Sequence, residues 1–227
     1  MSIVSVQGAV RHYEQSNHVV KALRGVNLNI ESGEFSALMG PSGSGKTTLL
    51  NLIGGLDTPT AGAITVDGTA LSSLAPDQRS DLRRDRIGFI FQAYNLIPVL
   101  TAQENTEFVL MLQGVDAATR AKKARETLAA VGLAGMEDRL PSELSGGQQQ
   151  RVAVARAIAT EPAIVLADEP TANLDSETKA ELIALMRKLN QEQGITFLFS
   201  THDDAILEAA TRVIRLKDGM IEADVLK

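Results

Sequence analysis

Residues 40–47 constrain the fold of this chain more than any other segment, because they read GPSGSGKT and match the pattern G-x-x-x-x-G-K-[ST]. A glycine-rich turn of this kind can direct its backbone N–H groups at nucleotide phosphates. In this pattern the amine of Lys46 reaches the β- and γ-phosphate oxygens, and the hydroxyl of Thr47 reaches Mg²⁺. The segment therefore predicts a nucleotide-binding loop, to which we assign Gly40, Ser42, Gly43, Ser44, Gly45, Lys46, Thr47 and Thr48.

The sequence on either side of this loop supports the assignment. Residues 35–39 form a short run typical of a strand, and residues 46–54 place leucine and isoleucine at helical spacing. Strand, glycine turn and helix thus follow one another in the order that phosphate binding requires. This context sets the motif apart from an accidental glycine-rich turn.

A second segment suited to phosphate binding, residues 144–148, reads LSGGQ. Ser145 is positioned to cap a predicted helix, and Gly146 and Gly147 leave the first backbone N–H groups of that helix unobstructed. The helix dipole favours a negative ligand such as the γ-phosphate of ATP at this end. One nucleotide site does not need two such cradles, so the sequence predicts that ATP is sandwiched between two copies of the chain.

Two carboxylates follow a predicted buried strand. Residues 164–167 are a continuous apolar run of the kind that is buried on both faces of a sheet, and Asp168 and Glu169 come directly after it. Ligands bind at this edge of open α/β sheets. Because phosphoryl transfer requires positioning and charge stabilisation, we expect Thr47 and Asp168 to hold Mg²⁺ and Glu169 to orient or deprotonate the attacking water.

Composition narrows the remaining classes. The chain has 227 residues, no cysteine and three histidines, which excludes disulfides and cysteine-based metal sites. Its net charge of −6 and its pI of about 5.2 argue against a nucleic-acid-binding surface, which is usually basic. No apolar run is long enough to span a membrane, and residues 1–10 lack a leader pattern. We therefore expect a soluble chain that is not secreted and binds no nucleic acid.

Hydrophobic patterning predicts one domain over residues 1–227. Loose apolar alternation near the N-terminus predicts antiparallel strands. After residue 92 the pattern becomes helical, and three residues carry the signals of helix starts: Thr101, Asp116 and Ser145. The sequence therefore predicts an α/β core formed by residues 1–92 and 161–227, with a helical subdomain inserted at residues 93–160.

Together these motifs resemble those of the ATP-binding cassette ATPases. Residues 40–47 match Walker A, residues 144–148 the signature and residues 164–169 Walker B, and the likeness extends over the whole chain. The resemblance implies an α/β fold, with a P-loop NTPase (RecA-like) core containing a mixed sheet, an N-terminal antiparallel β subdomain and an inserted α-helical subdomain. It also implies hydrolysis of ATP with Mg²⁺, with Lys46 and Glu169 among the catalytic residues.

The resemblance assigns roles to further positions. Gln92 resembles the catalytic glutamine of the Q-loop, which also contacts the metal, and His202 resembles the catalytic switch histidine. Taken alone, Gln92 could be a solvated strand end and His202 a loop cap, but their order and spacing favour the functional roles. Residues 172–175 resemble the D-loop, with Asp175 at the nucleotide. Tyr13 resembles the aromatic residue that stacks on adenine, although an aromatic residue near an N-terminal strand is as often part of the core.

The assembly implied by the resemblance is a head-to-tail homodimer. Lys46 of one copy and the signature of the other would bind the same ATP, through Ser145, Gly146, Gly147 and Gln148. Hydrolysis removes the γ-phosphate contact and lets the two halves part.

Five longer segments resemble the lipoprotein-release and macrolide-export branch of the family, which also includes a cell-division ATPase: residues 54–62, 87–92, 95–98, 100–105 and 147–151. This resemblance implies an integral membrane permease partner with an extracytoplasmic domain, and a peripheral location on the cytoplasmic face of the inner or plasma membrane. Residues 93–100 are expected to contact that partner or to pack within the lobe. We expect Leu96 or Ile97 to point inward and Tyr94 outward.

Other classes of cassette ATPase share the nucleotide motifs. Translation-factor types carry two cassettes and usually a basic linker, whereas this chain has one cassette and is acidic. Iron–sulfur assembly ATPases share the same nucleotide site. DNA-repair and chromosome-structuring ATPases separate their two halves by a long coiled coil, but here only residues 48–143 separate the loop from the signature. The sequence favours a subunit that energises a transporter.

Overall fold

Two sheets organise the described part of the chain, which comprises residues 2–15 and 18–227 of a computed structural model. The first sheet has four antiparallel strands in the order β2-β1-β4-β5. Its strands are β1 (Ser2–Gln15), β2 (His18–Glu31), β4 (Ala61–Val66) and β5 (Thr69–Ala70). The predicted antiparallel N-terminal subdomain is therefore confirmed.

The second sheet has six strands in the order β10-β9-β3-β8-β7-β6. These are β3 (Phe35–Met39), β6 (Ile87–Phe91), β7 (Ile164–Asp168), β8 (Phe197–Ser200), β9 (Arg212–Lys217) and β10 (Met220–Leu226). All neighbouring pairs are parallel except β9 and β10, which form a hairpin. The sheet is mixed, as predicted, and its central strands are buried on both faces, one covered by helices and the other by a further helix and the smaller sheet.

Seven α-helices accompany the sheets in the described residues: α1 (Lys46–Ile53), α2 (Pro76–Arg86), α3 (Ala102–Leu112), α4 (Ala117–Ala130), α5 (Gly146–Ile158), α6 (Ser176–Gln193) and α7 (Asp204–Ala209). The three predicted helix starts are confirmed, since Thr101, Asp116 and Ser145 each accept a backbone N–H from the first turn. No described helix is long and apolar enough to cross a bilayer.

The hydrophobic core forms two clusters on opposite faces of the larger sheet. Successive strand residues alternate between them, so Val165 and Ala167 lie in one cluster and Ile164 and Leu166 in the other. The first cluster packs β3, β7 and β8 against α5 and α6, and the second packs the same strands against α1 and the smaller sheet. These two clusters fix the positions of the strands, and so of the carboxyl ends from which the predicted site residues follow.

Helix α5 joins the helical subdomain closely to the sheet. A β-carbon built on Gly88 of β6 would lie 2.4 Å from the carbonyl oxygen of Ala157, so glycine is required where α5 crosses this strand. The helix that begins at Ser145 is therefore anchored beside the strand that precedes Gln92. The exact limits of the subdomain at residues 93 and 160 stay predictions.

Candidate nucleotide site

Four adjacent parallel strands bring the predicted site together. Leu38 of β3 pairs with Ser200 of β8, Ser200 pairs with Asp168 of β7, and Asp168 pairs with Phe91 of β6. The segments that follow these strands therefore leave the sheet at one edge, where ligands of α/β proteins bind. They are the glycine loop, His202, Glu169 and Gln92.

The glycine loop is shaped by its neighbours. A β-carbon on Gly40 would lie 2.1 Å from the carbonyl oxygen of Leu216, and one on Gly45 would lie 2.6 Å from that of Ala22. Gly45 also has a φ of 104°, a left-handed conformation that favours glycine. The loop thus passes between β2 and β9 with no room for side chains at these two positions.

A cavity of about 590 Å³ opens above the loop. All the predicted loop residues and all four predicted catalytic residues line it, and the full lining is Gly40, Pro41, Ser42, Gly43, Ser44, Gly45, Lys46, Thr47, Thr48, Gln92, Glu169, Ser200 and His202. The hydroxyl oxygens of Ser44 and Ser200 are buried and have no hydrogen-bond partner among the described residues. Buried hydroxyls normally have partners, so the cavity suits a ligand rich in polar atoms.

Lys46 supplies the positive charge of the cavity. Its ammonium donates to the carbonyl oxygens of Gly40 at 2.7 Å and Pro41 at 3.1 Å, and the residue is only 9% exposed. No carboxylate pairs with it within residues 2–15 and 18–227, and an ammonium has three N–H donors. One donor and the full charge therefore remain for a phosphate.

The residues predicted to hold the metal are in contact. The Thr47 hydroxyl lies 3.0 and 3.3 Å from the two carboxylate oxygens of Asp168. Hydroxyl and carboxylate oxygens are ligands that Mg²⁺ accepts, and this ion is usually held by few protein groups together with substrate phosphates. The described residues contain no cluster of three or more histidine or acidic side chains arranged as a metal cage. The pair thus fits a Mg²⁺ that arrives with a nucleotide.

Glu169 is held in place from three sides. One carboxylate oxygen lies 2.8 Å from Nδ1 of His202, the other accepts from the hydroxyl of Thr201 at 3.3 Å, and the backbone N–H donates to Ser200. Its φ of 46° is unusual for a residue other than glycine, and such conformations typically cost about 1–3 kcal/mol. The surrounding bonds therefore hold the carboxylate at the cavity wall in a strained backbone conformation. Thr201 was not predicted, although it directly precedes His202.

The signature residues form a separate group. Ser145 accepts the backbone N–H of Gln148 at 3.3 Å, and the side-chain oxygen of Gln148 accepts the backbone N–H of Ser145 at 2.9 Å. This capping box fixes the start of α5. Asp175 similarly caps α6. None of residues 145–148, nor Asp175, lines the cavity above the glycine loop.

Comparison with known proteins identifies the family of this chain. The family model described as ABC transporter matches residues 23–172. The chain belongs to the ABC transporter family. It is 44% identical to the ATP-binding protein MJ0796 of Methanocaldococcus jannaschii, over 98% of this chain and 96% of that protein. It is 45% identical to YtrE of Bacillus subtilis, over 91% of this chain and 89% of that one.

Longer relatives of this ABC ATPase contain a permease. This chain is 45% identical to the macrolide export ATP-binding/permease protein MacB of Rhodopirellula baltica. The match covers 98% of this chain and 33% of the relative. The chain therefore spans about a third of the length of that relative. Among solved structures, a dimeric post-hydrolysis state of MJ0796 bound to ADP and Pi matches with a TM-score of 0.90 and 44% identity, over 98% of both chains. The predicted ATPase fold and ATP-binding activity are confirmed.

Tyr13 of the ABC ATPase lies outside the cavity lining. Its hydroxyl donates to Asp57 at 2.8 Å, and the guanidinium of Arg11 lies 4.5 Å from the ring centroid while Arg11 also pairs with Asp57. These contacts fix the ring from one side and at its tip. Stacking of Tyr13 on adenine stays a prediction.

Two side chains, Arg156 and Asn173 of the predicted D-loop, hold the segment after β6 through bonds that the sequence did not indicate. Arg156 of α5 donates to the carbonyl oxygens of Tyr94 and Asn95 at 2.9 and 2.5 Å, and Asn173 donates to that of Gln92 at 3.0 Å. Burial lowers the pKa of the Arg156 guanidinium. No sequence pattern indicates these bonds, because they join residues far apart in the chain to backbone atoms.

The predicted directions of two side chains in this segment can be compared with the structure. Leu96 packs against the core, as expected. The outward orientation expected for Tyr94 is wrong, since it is half-buried and a β-carbon built on Gly146 would lie 2.9 Å from its hydroxyl. Tyr94 and Asn95 have φ values of 59° and 51°, and this left-handed pair directs the ring toward the start of α5.

Replacing Lys46 tests the phosphate site. Lys46→Ala should raise the dissociation constant of ATP by about 10- to 100-fold, because a charged hydrogen bond is worth about 1.5–3 kcal/mol. Titration of a fluorescent ATP analogue measures the change. Lys188→Ala, which removes an exposed lysine paired with Glu192 on α6, is the matched control. Equal affinities of the two variants would refute the role of Lys46.

Proposed function

We propose that this chain is the ATPase subunit of a transporter, that two copies pair head to tail around two ATP molecules, and that the pair drives a separate membrane subunit. The observation that supports this best is the division of the predicted nucleotide contacts. Lys46 and Glu169 line one cavity, whereas Ser145 caps a helix outside that lining. A second copy that places its signature over the cavity would complete the site.

The solved relative supports the same arrangement. MJ0796 forms a dimer in its post-hydrolysis state, bound to ADP and Pi. With 44% identity over 98% of both chains, the surfaces that make such a dimer can be carried over to this chain as a proposal. The start of α5 then offers the hydroxyl of Ser145, unobstructed N–H groups and a favourable dipole to the γ-phosphate.

Each residue of the cavity then has its own role in ATP hydrolysis. Lys46 binds the phosphates with its remaining N–H donor, and Thr47, Gln92 and, through water, Asp168 would hold Mg²⁺. When bound, Mg²⁺ offsets the negative charge of the β- and γ-phosphates. Glu169 orients the attacking water, and His202 fixes the carboxylate of Glu169 through the 2.8 Å contact. Positioning and electrostatics therefore supply most of the catalysis.

A groove beside the Q-loop segment is proposed to receive the membrane subunit. Its volume is about 360 Å³, and its lining combines apolar side chains with arginines: Leu56, Ile87, Phe89, Phe91, Val109, Leu112, Arg83, Arg84 and Arg156. Leu56 and Leu112 are 51% and 53% exposed, so the groove presents apolar surface of the kind that marks interaction sites. Asn95 also lines the groove, so a bound partner would touch the segment that follows Gln92.

The branch of the family supports a proposal for this partner. The MacB relative is described as an ATP-binding/permease protein, and this chain matches only a third of its length. By analogy with the permease part named in that relative, we propose an integral membrane permease with an extracytoplasmic domain as the partner, and a position of this ATPase on the cytoplasmic face of the membrane. The transported substrate contacts that permease.

Replacing Glu169 tests the sandwich. Glu169→Gln should slow hydrolysis by about 10²- to 10⁴-fold and leave ATP binding intact. The γ-phosphate then persists and holds two copies together, so light scattering should detect an ATP-dependent dimer. Adding Ser145→Arg to this variant blocks the signature and should return it to a monomer. A Glu169→Gln protein that stays monomeric at saturating ATP would contradict the proposal.

Replacing Leu112 tests the groove. Leu112→Asp should abolish co-purification with the integral membrane subunit from detergent-solubilised membranes, because it buries a charge against an apolar partner. ATP hydrolysis in solution should be retained. Val225→Asp is the matched control, since Val225 is 54% exposed on β10, away from the groove. Equal recovery of the membrane subunit with both variants would exclude this docking surface.

A further inference from the structure

The signature glycine Gly147 packs against a neighbouring helix of its own chain. A β-carbon built on Gly147 would lie 2.3 Å from the methyl carbon Cγ2 of Thr178, near the start of α6. Gly147 does not have a positive φ, so its backbone conformation does not require glycine. Glycine within a helix is about 1 kcal/mol less favourable than alanine. Close packing on Thr178 is thus a reason, within one subunit, for glycine at this position.

The hydroxyl group of Thr178 binds the D-loop, residues 172–175. Its hydroxyl donates to one carboxylate oxygen of Asp175 at 2.7 Å, while the other oxygen accepts the backbone N–H groups of Glu177 and Thr178. These bonds hold the pKa of the Asp175 carboxyl below its usual range. The carboxylate is therefore fixed in orientation by a residue that also meets the signature.

Gly146 also lies near the D-loop. A β-carbon on Gly146 would lie 3.9 Å from a methyl group of Leu174, which is an ordinary packing distance. Gly146 and Gly147 thus lie over the D-loop and over the first turn of α6. In the proposed dimer both segments face the partner copy, so their mutual position matters to the composite site.

We propose that Thr178 is a positioning residue that fastens the signature turn, residues 145–147, to the D-loop, residues 172–175. Its methyl group packs against Gly147, and its hydroxyl orients the carboxylate of Asp175. This inference rests on the proposed function, in which both segments act at the nucleotide of the dimer. It follows that a displacement of the signature turn is transmitted to Asp175, and that Gly147 is constrained by its own subunit as well as by ATP.

Combining two substitutions distinguishes the two constraints on Gly147, which are packing against Thr178 of its own subunit and contact with the ATP of the partner copy. Gly147→Ala alone places the new methyl against Cγ2 of Thr178 and should lower kcat by about 10-fold or more, since small displacements in active sites have effects of this size. Thr178→Ser removes Cγ2 and keeps the hydroxyl. The nearest remaining atoms of residue 178 then lie at 3.7 and 3.9 Å, which are normal contacts.

The double variant Gly147→Ala with Thr178→Ser should therefore recover kcat to within about three-fold of Thr178→Ser alone, a coupling typical of residues in contact. If the double variant is as inactive as Gly147→Ala, the obstacle is the ATP of the partner and the inference is wrong. Full activity of Gly147→Ala would also overturn it. Thermal unfolding of each variant identifies any loss of activity that comes from misfolding.

The hydroxyl of Thr178 is tested separately. Thr178→Val keeps the size of the side chain but removes the donor to Asp175, so kcat should fall several-fold while the KM for ATP stays unchanged. Thr119→Val is the matched control, because Thr119 occupies the same position after Asp116, the capping residue of α4. Only stability should change in that control. Equal kcat values for the two valine variants would refute the role of the hydroxyl.

One further comparison distinguishes this inference from the proposed function. In the Glu169→Gln background, Gly147→Ala should weaken the ATP-dependent dimer, and Thr178→Ser should restore it. If Glu169→Gln alone forms no dimer, the proposed function fails. If that dimer forms but Thr178→Ser does not restore it in the presence of Gly147→Ala, only the role of Thr178 fails.

Discussion

The register of four parallel strands is the constraint on which the rest of the structure depends. Four residues are paired in register across β3, β8, β7 and β6, in that order: Leu38, Ser200, Asp168 and Phe91. A shift of one residue in any pair would turn its side chains to the other face of the sheet and move its loop away from the others. The two core clusters prevent such a shift, because each strand contributes alternate side chains to both. Packing of the interior thus sets the geometry of the nucleotide cavity.

The helical subdomain is joined to this strand edge through polar contacts that end on backbone atoms. Gln150 of α5 is fully buried and donates to the carbonyl oxygen of Pro170 at 2.7 Å, just after Glu169. Arg156 binds the carbonyls of the segment that follows Gln92. Helix α5 is therefore hydrogen-bonded both to the segment after Glu169 and to the segment after Gln92, beside the groove proposed for the membrane subunit. The Gln150 bond is buried, and breaking it would leave polar atoms without partners, so it holds α5 firmly against the segment after Glu169.

Much of this arrangement could be predicted because its signals are local. The glycine loop and the caps at Thr101 and Ser145 depend on residues only a few positions apart. Helix α2 could not be found from periodicity, since none of its residues is buried, and α7 is too short to show a period. The contact of Tyr94 with Gly146 and that of Thr178 with Gly147 join distant parts of the chain. Their basis is tertiary packing, for which a single sequence carries no pattern.

The central claim is that each ATP is bound by the glycine loop of one copy and the signature of the other. Mixing two inactive variants, Lys46→Ala and Ser145→Arg, tests it most directly. In a mixed dimer one site carries both defects and the other carries neither, so the account predicts that ATP hydrolysis reappears on mixing, above the average of the separate proteins. If each copy instead built its site alone, every site would stay defective. Activity that remains at that average over all mixing ratios would contradict the account.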